Sequence, residues 1–393
     1  MLMVYMFTFL FKFLGLAVYY LSFLSVRCKN IWAFGSGTGY DGNSKYLLQH
    51  IIDNCPEIHG IWITQRKEEV RLLREKGIDA YYSYSLKGTF YSLRASTYIV
   101  TGSLADINFY TSGGAKQVQL WHGFGPKKCL WANIHSSMNR YSRFRGFVMR
   151  PSFYIQPDIF LGASERINEI YAMTFRADKS HGVSVVSPRC ELLRWEKSKV
   201  IDYIRRWEGP QVLDFVNSLK NYRKVLLYMP TYRDKNPHFM QNLSWDFAAL
   251  NQKLVEHNSQ LIVKLHPHMK HDIDFNGFSN IIEIDKHFDI YPVLPFTDTL
   301  ITDYSSVYVD YILMDNKQII LYTHDKEEYL SQSRELWTDF DDAYHGHIVT
   351  DFDGLLQAVS SEERLDYTSV RRWVWADSIN RGSDELVAAI KYN

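Results

Sequence analysis

The sequence predicts an α/β protein built from two series of alternating strands and helices. Short apolar runs recur along most of the 393 residues, and segments with helical spacing separate them. That alternation is typical of parallel sheets joined by crossover helices. A polar, helix-like stretch around 188–210 interrupts the alternation, and we place the domain junction there. We expect an N-terminal membrane-associating segment over 1–28, a first α/β domain over 29–195 and a second over 196–393, in line with common domain sizes.

Apolar runs and helical spacing define the elements of each series. In the first series we expect strands over 30–34, 60–64, 98–101, 118–120 and 159–162, and helices over 44–53, 67–76 and 164–172. In the second we expect strands over 224–228, 261–265, 280–284, 299–302 and 318–322, and helices over 195–207 and 307–314. A glycine-rich turn over 35–39 follows the first strand. Its spacing differs from the dinucleotide fingerprint, so an ordinary tight turn is an equal alternative.

The first 26 residues are almost wholly apolar and aromatic, and Lys12 is the one charged residue among them. A helix of about 39 Å would cross a hydrocarbon core of about 30 Å, but Lys12 would then lie near its middle, where a charge is costly. A helix lying in the membrane interface relieves that cost, and a helix buried in the core is the third alternative. Arg27 and Lys29 follow at once, so we expect attachment at the cytoplasmic face of the cell membrane.

Positive charge is concentrated in the first part of a chain whose net charge is zero. Through Arg150 there are 18 basic residues against 8 acidic ones, and the stretch 107–157 contains no acidic residue. Its basic residues are Lys116, Lys127, Lys128, Arg140, Arg143, Arg145 and Arg150. Such a stretch favours a polyanionic partner, whereas a solvated basic face is the alternative for any single member.

Neither a metal nor a cofactor is expected. The four cysteines lack the CxxC spacing of a zinc site, and their scatter argues against a disulfide framework and suits a reducing compartment. His266, His268 and His271 form the one candidate metal cluster, but no carboxylate lies in that run before Asp272. We therefore do not expect metal binding there.

Three short polar motifs follow expected strands directly: Trp121-His122-Gly123, His266-Pro267-His268 and Thr302-Asp303-Tyr304-Ser305-Ser306. Ligands of open α/β sheets bind beyond the carboxyl ends of the strands. Two imidazoles and a pair of hydroxyls at such ends are the groups that a phosphoryl transfer requires. The motifs therefore indicate a phosphorylated substrate.

Each motif has a chemical interpretation and a structural alternative. His122 has a side chain suited to proton removal near neutral pH, and Gly123 permits close approach of a substrate, although a lone histidine is often structural. Protonated His266 would stabilise a phosphate, whereas a neutral imidazole there would not.

The hydroxyls and charges of the second series fit a diphosphate. Ser305 and Ser306 precede an apolar helix whose first amides would bind phosphate oxygens, with simple capping as the alternative. Arg233 has the bidentate geometry for a phosphate, with a surface ion pair to Asp234 as the alternative. Asp303 or Asp310 would hold a ribose or polyol hydroxyl.

Taken together, the motifs resemble those of the CDP-glycerol glycerophosphotransferase family, membrane-associated enzymes that build the polyol-phosphate chains of teichoic acids and capsular polymers. The matching residues are Trp121-His122-Gly123 with Lys127-Lys128, Pro230-Thr231-Tyr232-Arg233-Asp234, His266-Pro267, Thr302 to Ser306, and Asp310-Tyr311. Pro188-Arg189, and Gly35 with Asn43-Ser44-Lys45, resemble further family signatures. The resemblance runs from about Asn30 to the C-terminal region.

The resemblance implies a GT-B-like pair of Rossmann-type domains facing across a cleft. It implies that an acceptor hydroxyl attacks the β-phosphorus of CDP-glycerol and that CMP leaves. His122 would be the general base and His266 would stabilise the diphosphate, so these two are the expected catalytic residues. The expected substrate-binding residues are Gly123, Lys127, Lys128, Thr231, Arg233, Asp303, Ser305, Ser306 and Asp310.

The implied partners are CDP-glycerol, a lipid-linked saccharide or polyol-phosphate acceptor and the membrane surface, with no nucleic acid. Three alternatives stay open at this point. CDP-ribitol would serve as donor in a ribitolphosphotransferase, and a nucleotide sugar would serve in a GT-B glycosyltransferase. The third is a membrane-bound module that binds polyanions without catalysis.

Overall fold

The chain forms two compact units in a computed structural model that describes residues 2–125, 128–133, 140–233, 236, 238–332, 337, 344–376 and 378–392. Unit 1 comprises Met1–His122, Cys129–Arg189 and Trp375–Asn393, and unit 2 comprises Gly123–Lys128 and Cys190–Val374. Each unit contains one parallel sheet with helices packed on it. The two α/β series expected from the sequence are therefore present.

The sheet of unit 1 has seven strands in the order β3-β2-β1-β4-β5-β6-β7. Its strands are β1 (Cys28–Gly35), β2 (His59–Thr64), β3 (Ala80–Tyr82), β4 (Ala95–Val100), β5 (Lys116–Gln119), β6 (Ile159–Gly162) and β7 (Gly182–Ser184). All neighbouring strands run parallel. The strand order reverses between β1 and β4, which is the topological switch point of a Rossmann-type sheet.

Helices connect the strands of unit 1 and cover its sheet. They are α1 (Leu2–Leu21), α2 (Gly42–Asn54), α3 (Lys67–Glu75), α4 (Leu86–Arg94), α5 (Arg140–Met149), α6 (Glu165–Phe175) and α7 (Pro188–Glu191), the last of which reaches into unit 2. Ser164 caps α6 by accepting a hydrogen bond from the backbone N–H of Ile167, as its residue type predicts.

The sheet of unit 2 has six strands in the order β10-β9-β8-β11-β12-β13. Its strands are β8 (Lys224–Tyr228), β9 (Ser259–Val263), β10 (Ile281–Glu283), β11 (Thr299–Thr302), β12 (Gln318–Tyr322) and β13 (His347–Val349). The order reverses between β8 and β11, so unit 2 has its own switch point there. Buried residues on both faces of β8, β9 and β12 explain why these strands read as continuous apolar runs.

The remaining helices are numbered onward in chain order. They are α8 (Lys197–Tyr203), α9 (Pro210–Ser218), α10 (Phe247–Glu256), α11 (Val307–Tyr311), α12 (Lys326–Gln332), α13 (Phe352–Ser360), α14 (Thr368–Trp375) and α15 (Ser383–Tyr392). Helix α15 belongs to unit 1 because its residues bond there. Lys116 donates to the carbonyl of Ile390 at 2.6 Å, and His50 lies 3.1 Å from Asp384.

The unit boundary differs from the expected domain boundary in three places, the first being that Gly123–Lys128 belongs to unit 2. The chain passes from unit 1 to unit 2 at Arg189–Cys190 rather than at 195–196, and Trp375–Asn393 returns to unit 1 rather than staying in the second domain. The return depends on contacts between residues that lie far apart in sequence, such as the hydrogen bond from the N–H of Val186 to the carbonyl of Arg381.

Helix α1 packs along unit 1 through one face only. Leu16 and Tyr19 belong to the buried core of the sheet, and Tyr19 stacks on Phe109 with ring centroids 4.5 Å apart. The opposite face is exposed and apolar, with Leu14 and Val18 as examples. Among the described residues, no helix is long and apolar enough to cross a bilayer.

Candidate functional site

The carboxyl ends of β1, β4 and β5 lie side by side at one edge of the unit 1 sheet. Gly35 ends β1 opposite Val100 of β4, and Val100 in turn pairs with Gln119 of β5. His122 follows β5 by three residues, so it lies next to the switch point between β1 and β4. This placement agrees with the rule that ligands bind at such points.

His122 has the protonation state that a general base needs. The residue is exposed to solvent on one side, yet the protein around the imidazole partly desolvates it. Desolvation, together with the nearby positive charge of Arg189, lowers the pKa of His122 to about 4, although a hydrogen bond with the backbone of Thr101 acts in the opposite direction. The imidazole is therefore neutral, and ready to accept a proton, at all pH values well above 4.

The backbone around His122 adopts left-handed conformations on both sides. Trp121 has φ +54° and Gly123 has φ +111°. The value at Gly123 favours glycine, whereas Trp121 accepts a conformation that few non-glycine residues adopt. Its ring packs against the His122 imidazole at 4.1 Å and against Phe175 at 5.3 Å between centroids. Such local strain persists only where surrounding contacts enforce it.

Asn43 supplies those contacts from α2. Its fully buried side chain donates to the carbonyl oxygens of Leu120 at 3.2 Å and Trp121 at 2.9 Å. Its Oδ1 accepts from the backbone N–H of Arg189 at 3.2 Å. One carboxamide thus fixes both the loop that carries His122 and the residue whose charge lowers the pKa of His122.

In unit 2, a buried ion-pair network joins the carboxyl ends of β8, β11 and β12. The Arg233 guanidinium lies 2.9 Å from Asp303 and 2.9 Å from Asp325, and all three side chains are largely buried. Asp303 also accepts from the hydroxyl of Thr231 at 2.6 Å and from its backbone N–H at 2.9 Å. Tyr304 donates to Asp325 at 3.0 Å.

This network raises the pKa of Arg233 and lowers the pKa of Asp325. Burial alone would lower the pKa of Arg233, but the charges of Asp303 and Asp325 raise it above its usual value. For Asp325, burial raises the pKa, and the bonds to Arg233 outweigh that effect and lower it. Buried charges require such partners. The guanidinium and the Asp303 carboxylate therefore bond to each other within the protein, and substrate binding by either residue stays a prediction.

His266 projects from the loop after β9, beside the switch point of unit 2. Its exposed ring stacks on Tyr232, with centroids 4.9 Å apart and planes at 21°. Its Nδ1 accepts a hydrogen bond from the backbone N–H of His268 at 3.2 Å. A nitrogen that accepts carries no proton, so the proton of the neutral ring is on Nε2. In a neutral ring Nε2–H is therefore the donor. The expectation that protonated His266 stabilises a phosphate stays a prediction.

The histidines that follow have other contacts. His271 lies 3.0 Å from Glu283 through Nε2, and its Nδ1 accepts from the backbone N–H of Ile273 at 3.2 Å. Its ring therefore turns toward β10, and its hydrogen-bond partners differ from the one described for His266. His268 is exposed, 6.0 Å from the Tyr232 ring.

The other expected substrate-binding residues have diverse surroundings. Ser305 and Ser306 are half-buried and precede α11, which has only five residues, so its dipole is small. Asp310 is buried and accepts from the Tyr291 hydroxyl at 2.5 Å, so its carboxylate is bonded within the protein. Lys128 lies 5.6 Å from the Trp337 ring centroid. Lys127 lies outside the described residues.

Four residues of these sites were not among the expected functional residues: Asn43, Arg189, Tyr232 and Asp325. The first three stand in motifs that carry the family resemblance, so a signal for them was present. Asp325 follows the end of β12 by three residues, and position near a strand end is the signal that would have found it. Their roles depend on long-range pairing, which a single sequence does not show.

The strand orders and the polar strand ends define a GT-B-like α/β protein. The chain belongs to the CDP-Glycerol:Poly(glycerophosphate) glycerophosphotransferase family, whose model matches residues 18–388. A solved structure with a similar fold is that of the wall teichoic acid polymerase TagF. It has a TM-score of 0.69 and 18% identity, and the match covers 93% of this chain and 88% of that one.

Two curated relatives are similar in sequence. The teichoic acid glycerol-phosphate primase of Bacillus subtilis is 26% identical over 68% of this chain and 65% of its own length. The teichoic acid ribitol-phosphate polymerase TarK of Staphylococcus aureus is 31% identical over 36% of this chain and 28% of its own length. The chain therefore spans less than two thirds of the length of either relative.

We expect Asn43→Ala to raise the pKa of His122 from about 4 toward its usual range, by about one unit or more, because Arg189 is no longer held beside the imidazole. Histidine titration by NMR with labelled imidazole carbons measures this shift. Asn54→Ala is the matched control, since Asn54 ends the same helix in solvent. An unchanged His122 titration in Asn43→Ala would contradict the role of Asn43.

We expect Arg233→Met to reduce the stability of unit 2 by about 3–5 kcal/mol, because two buried carboxylates lose their cation. Hydrogen exchange of the β8, β11 and β12 amides measures the free energy of opening. Arg205→Met is the control, since its partner Asp202 is exposed and such pairs contribute about 0.5 kcal/mol or less. Equal exchange rates in the two variants would refute the network as the main restraint on these strand ends.

Proposed function

We propose that this chain transfers glycerol phosphate from CDP-glycerol to a hydroxyl of a teichoic-acid-like or capsular polymer and releases CMP. The observation that carries the proposal is the position of two imidazoles, one in each unit, each in the segment after a strand that neighbours a switch-point strand. Membership of the glycerophosphotransferase family and the similarity to a Bacillus subtilis protein named as a teichoic acid glycerol-phosphate primase support the same reaction.

The proposed reaction is an in-line displacement at phosphorus. The acceptor oxygen forms a bond to the β-phosphorus of CDP-glycerol, and the bond from that phosphorus to the bridging oxygen breaks. The bridging oxygen and its electron pair leave with CMP. His122 accepts the proton of the acceptor hydroxyl, as its lowered pKa allows.

Unit 2 supplies the groups that bind the donor diphosphate in this proposal. The Nε2–H of His266 donates to a phosphate oxygen, and the hydroxyls of Ser305 and Ser306 donate to others. Such positioning and electrostatic stabilisation account for most phosphoryl-transfer catalysis. Tyr232 keeps the His266 ring in place by stacking, and Arg233 fixes the loop that carries Tyr232.

Donor identity separates this proposal from its alternatives. The TarK relative is a ribitol-phosphate polymerase, so CDP-ribitol is the second candidate donor. A GT-B glycosyltransferase would use a nucleotide sugar instead. A binding module without catalysis gives no reason for a histidine after a strand end in each of the two units.

We expect His122→Ala and His266→Ala each to reduce CMP release from CDP-glycerol by about 10²-fold or more, because each removes a group that acts in the transition state. His287→Ala, an exposed histidine of unit 2, is the matched control and should keep wild-type turnover. Circular dichroism establishes that the variants are folded. Near-wild-type turnover of either variant would remove its catalytic assignment.

The same assay, run with the wild-type protein, tests the reaction class. CDP-glycerol, CDP-ribitol and common nucleotide sugars are supplied separately, and the product mass is measured. A mass increase equal to glycerol phosphate supports the proposal. Transfer from a nucleotide sugar alone would establish the glycosyltransferase alternative, and binding without turnover would establish the binding module.

We also place the protein at the cytoplasmic face of the membrane, through α1 lying in the interface. Six exposed apolar residues of α1 recur at helical spacing and form one face of the helix: Leu10, Phe13, Leu14, Ala17, Val18 and Leu21. Lys12 lies on another face, where its ammonium donates to the carbonyl of Met149 at 2.8 Å. An apolar stripe backed by a folded domain is the pattern of an interfacial helix.

We expect the double variant Leu14→Gln, Val18→Gln to lower binding to anionic liposomes about tenfold or more, since two apolar side chains leave the acyl boundary. Co-sedimentation with liposomes measures the effect. Val255→Gln is the control, because Val255 is as exposed as Val18, at 50% against 51%, but lies on α10 of unit 2. Equal sedimentation of the double variant and the control would refute attachment through α1.

A further inference from the structure

A cavity of about 680 Å³ lies within unit 1, between α1 and the carboxyl-terminal parts of β4 and β5. Lys12 of α1, Val100 of β4 and Gln119 of β5 line it, together with residues that follow β4 and α5. Its volume is in the range of small-molecule binding sites, which hold about 300–1,000 Å³. None of the residues assigned to the donor above lies in it.

The walls of the cavity combine aromatic rings with carboxamides. The rings are those of Tyr84, Phe109, Tyr110, Trp131, Phe153 and Phe175. The carboxamides are those of Gln65, Asn108, Gln117 and Gln119. A sugar ring has apolar C–H faces and hydroxyl edges, and rings with nearby amides match both. Gln65, Asn108 and Gln119 each use part of their hydrogen-bonding capacity within the protein. A hydrocarbon chain would bond to none of the donors and acceptors that remain on these carboxamides.

The charges around the cavity have one sign. Lys12 and Arg150 are its charged lining residues, and no aspartate or glutamate lines it. The described contacts of Lys12 use one of its three N–H donors, for the carbonyl of Met149 at 2.8 Å. Arg150 is exposed. An ammonium and a guanidinium without acidic neighbours in the lining fit a phosphate or diphosphate.

At the inner end of the cavity, Gln119 bonds to the backbone segments that hold His122, the proposed general base. The Gln119 side chain donates to the carbonyl of Gly102 at 2.9 Å and accepts from the N–H of Trp121 at 3.0 Å. Gly102 follows Thr101, whose backbone bonds to His122. The cavity thus extends from the helix with the exposed apolar face to the segments that hold His122.

We propose that this cavity, the acceptor pocket, binds the saccharide-phosphate head of a lipid-linked acceptor. Lys12 and Arg150 hold the phosphate, the aromatic rings and carboxamides hold the sugar, and the sugar's terminal hydroxyl points toward His122. The lipid chain stays in the bilayer beside α1. The inference rests on the proposed function, and it specifies a primer-like acceptor recognised at its lipid-proximal sugars.

The test measures binding of a defined probe in the absence of any donor, so that its result does not depend on turnover. The probe is a disaccharide joined to an octyl chain through a diphosphate, titrated into the full chain by calorimetry. We expect Arg150→Gln and Tyr84→Ala each to weaken binding about tenfold. Lys87→Gln and Phe90→Ala on α4 are the matched controls and should bind as wild type. Phe90 is 58% exposed and Tyr84 59%.

Two further probes separate the alternatives. Octyl diphosphate without sugar should bind at least about tenfold more weakly than the full probe. Equal binding of the two would overturn the saccharide assignment in favour of a lipid pocket. Equal affinity of Arg150→Gln, Tyr84→Ala and their controls for the full probe would overturn the pocket itself. If the wild type binds the probe but releases no CMP from CDP-glycerol, the proposed donor fails and the acceptor pocket stands.

Discussion

The pairing of Arg233 with Asp303 and Asp325 is the constraint on which the geometry of unit 2 depends. It joins the segments that leave β8, β11 and β12, and it does so in a buried environment where an unpaired charge would be costly. Because Tyr232 precedes Arg233, the same pairing fixes the ring on which His266 stacks. The ion pairs of Arg233 therefore restrain the ring on which the imidazole stacks.

In unit 1 a neutral side chain restrains the loop that carries the histidine. Asn43 holds the loop after β5 and the backbone of Arg189 with three hydrogen bonds, and it carries no charge itself. A carboxamide suits this place, because a carboxylate would raise the pKa of the nearby His122. It would thus act against the effect that the charge of Arg189 has on that pKa. The energy of these bonds offsets the strained φ of Trp121. Both units thus position a histidine by cross-linking loops that follow strands beside a switch point.

The sequence predicts the strands well where they are buried on both faces. Ile159–Gly162, Lys224–Tyr228, Thr299–Thr302 and Gln318–Tyr322 agree with expectation at both ends, because continuous apolar runs define them. The short strands β3, β7 and β13 were not expected, since three residues carry no periodic signal. Strand ends also located His122 and His266. The partners of Arg233 could not be foreseen, because Asp325 lies 92 residues away and only the fold brings it near.

The two histidines have different surroundings, and the difference fits their proposed roles. A general base must be unprotonated on the nitrogen that faces the acceptor. For His122, desolvation and the charge of Arg189 ensure this by lowering the pKa. A phosphate donor must instead keep a proton on the nitrogen that faces the substrate. For His266, the N–H of His268 occupies Nδ1 and leaves the proton on Nε2. In the proposed reaction, the surroundings of each histidine, more than its residue type, therefore specify its part.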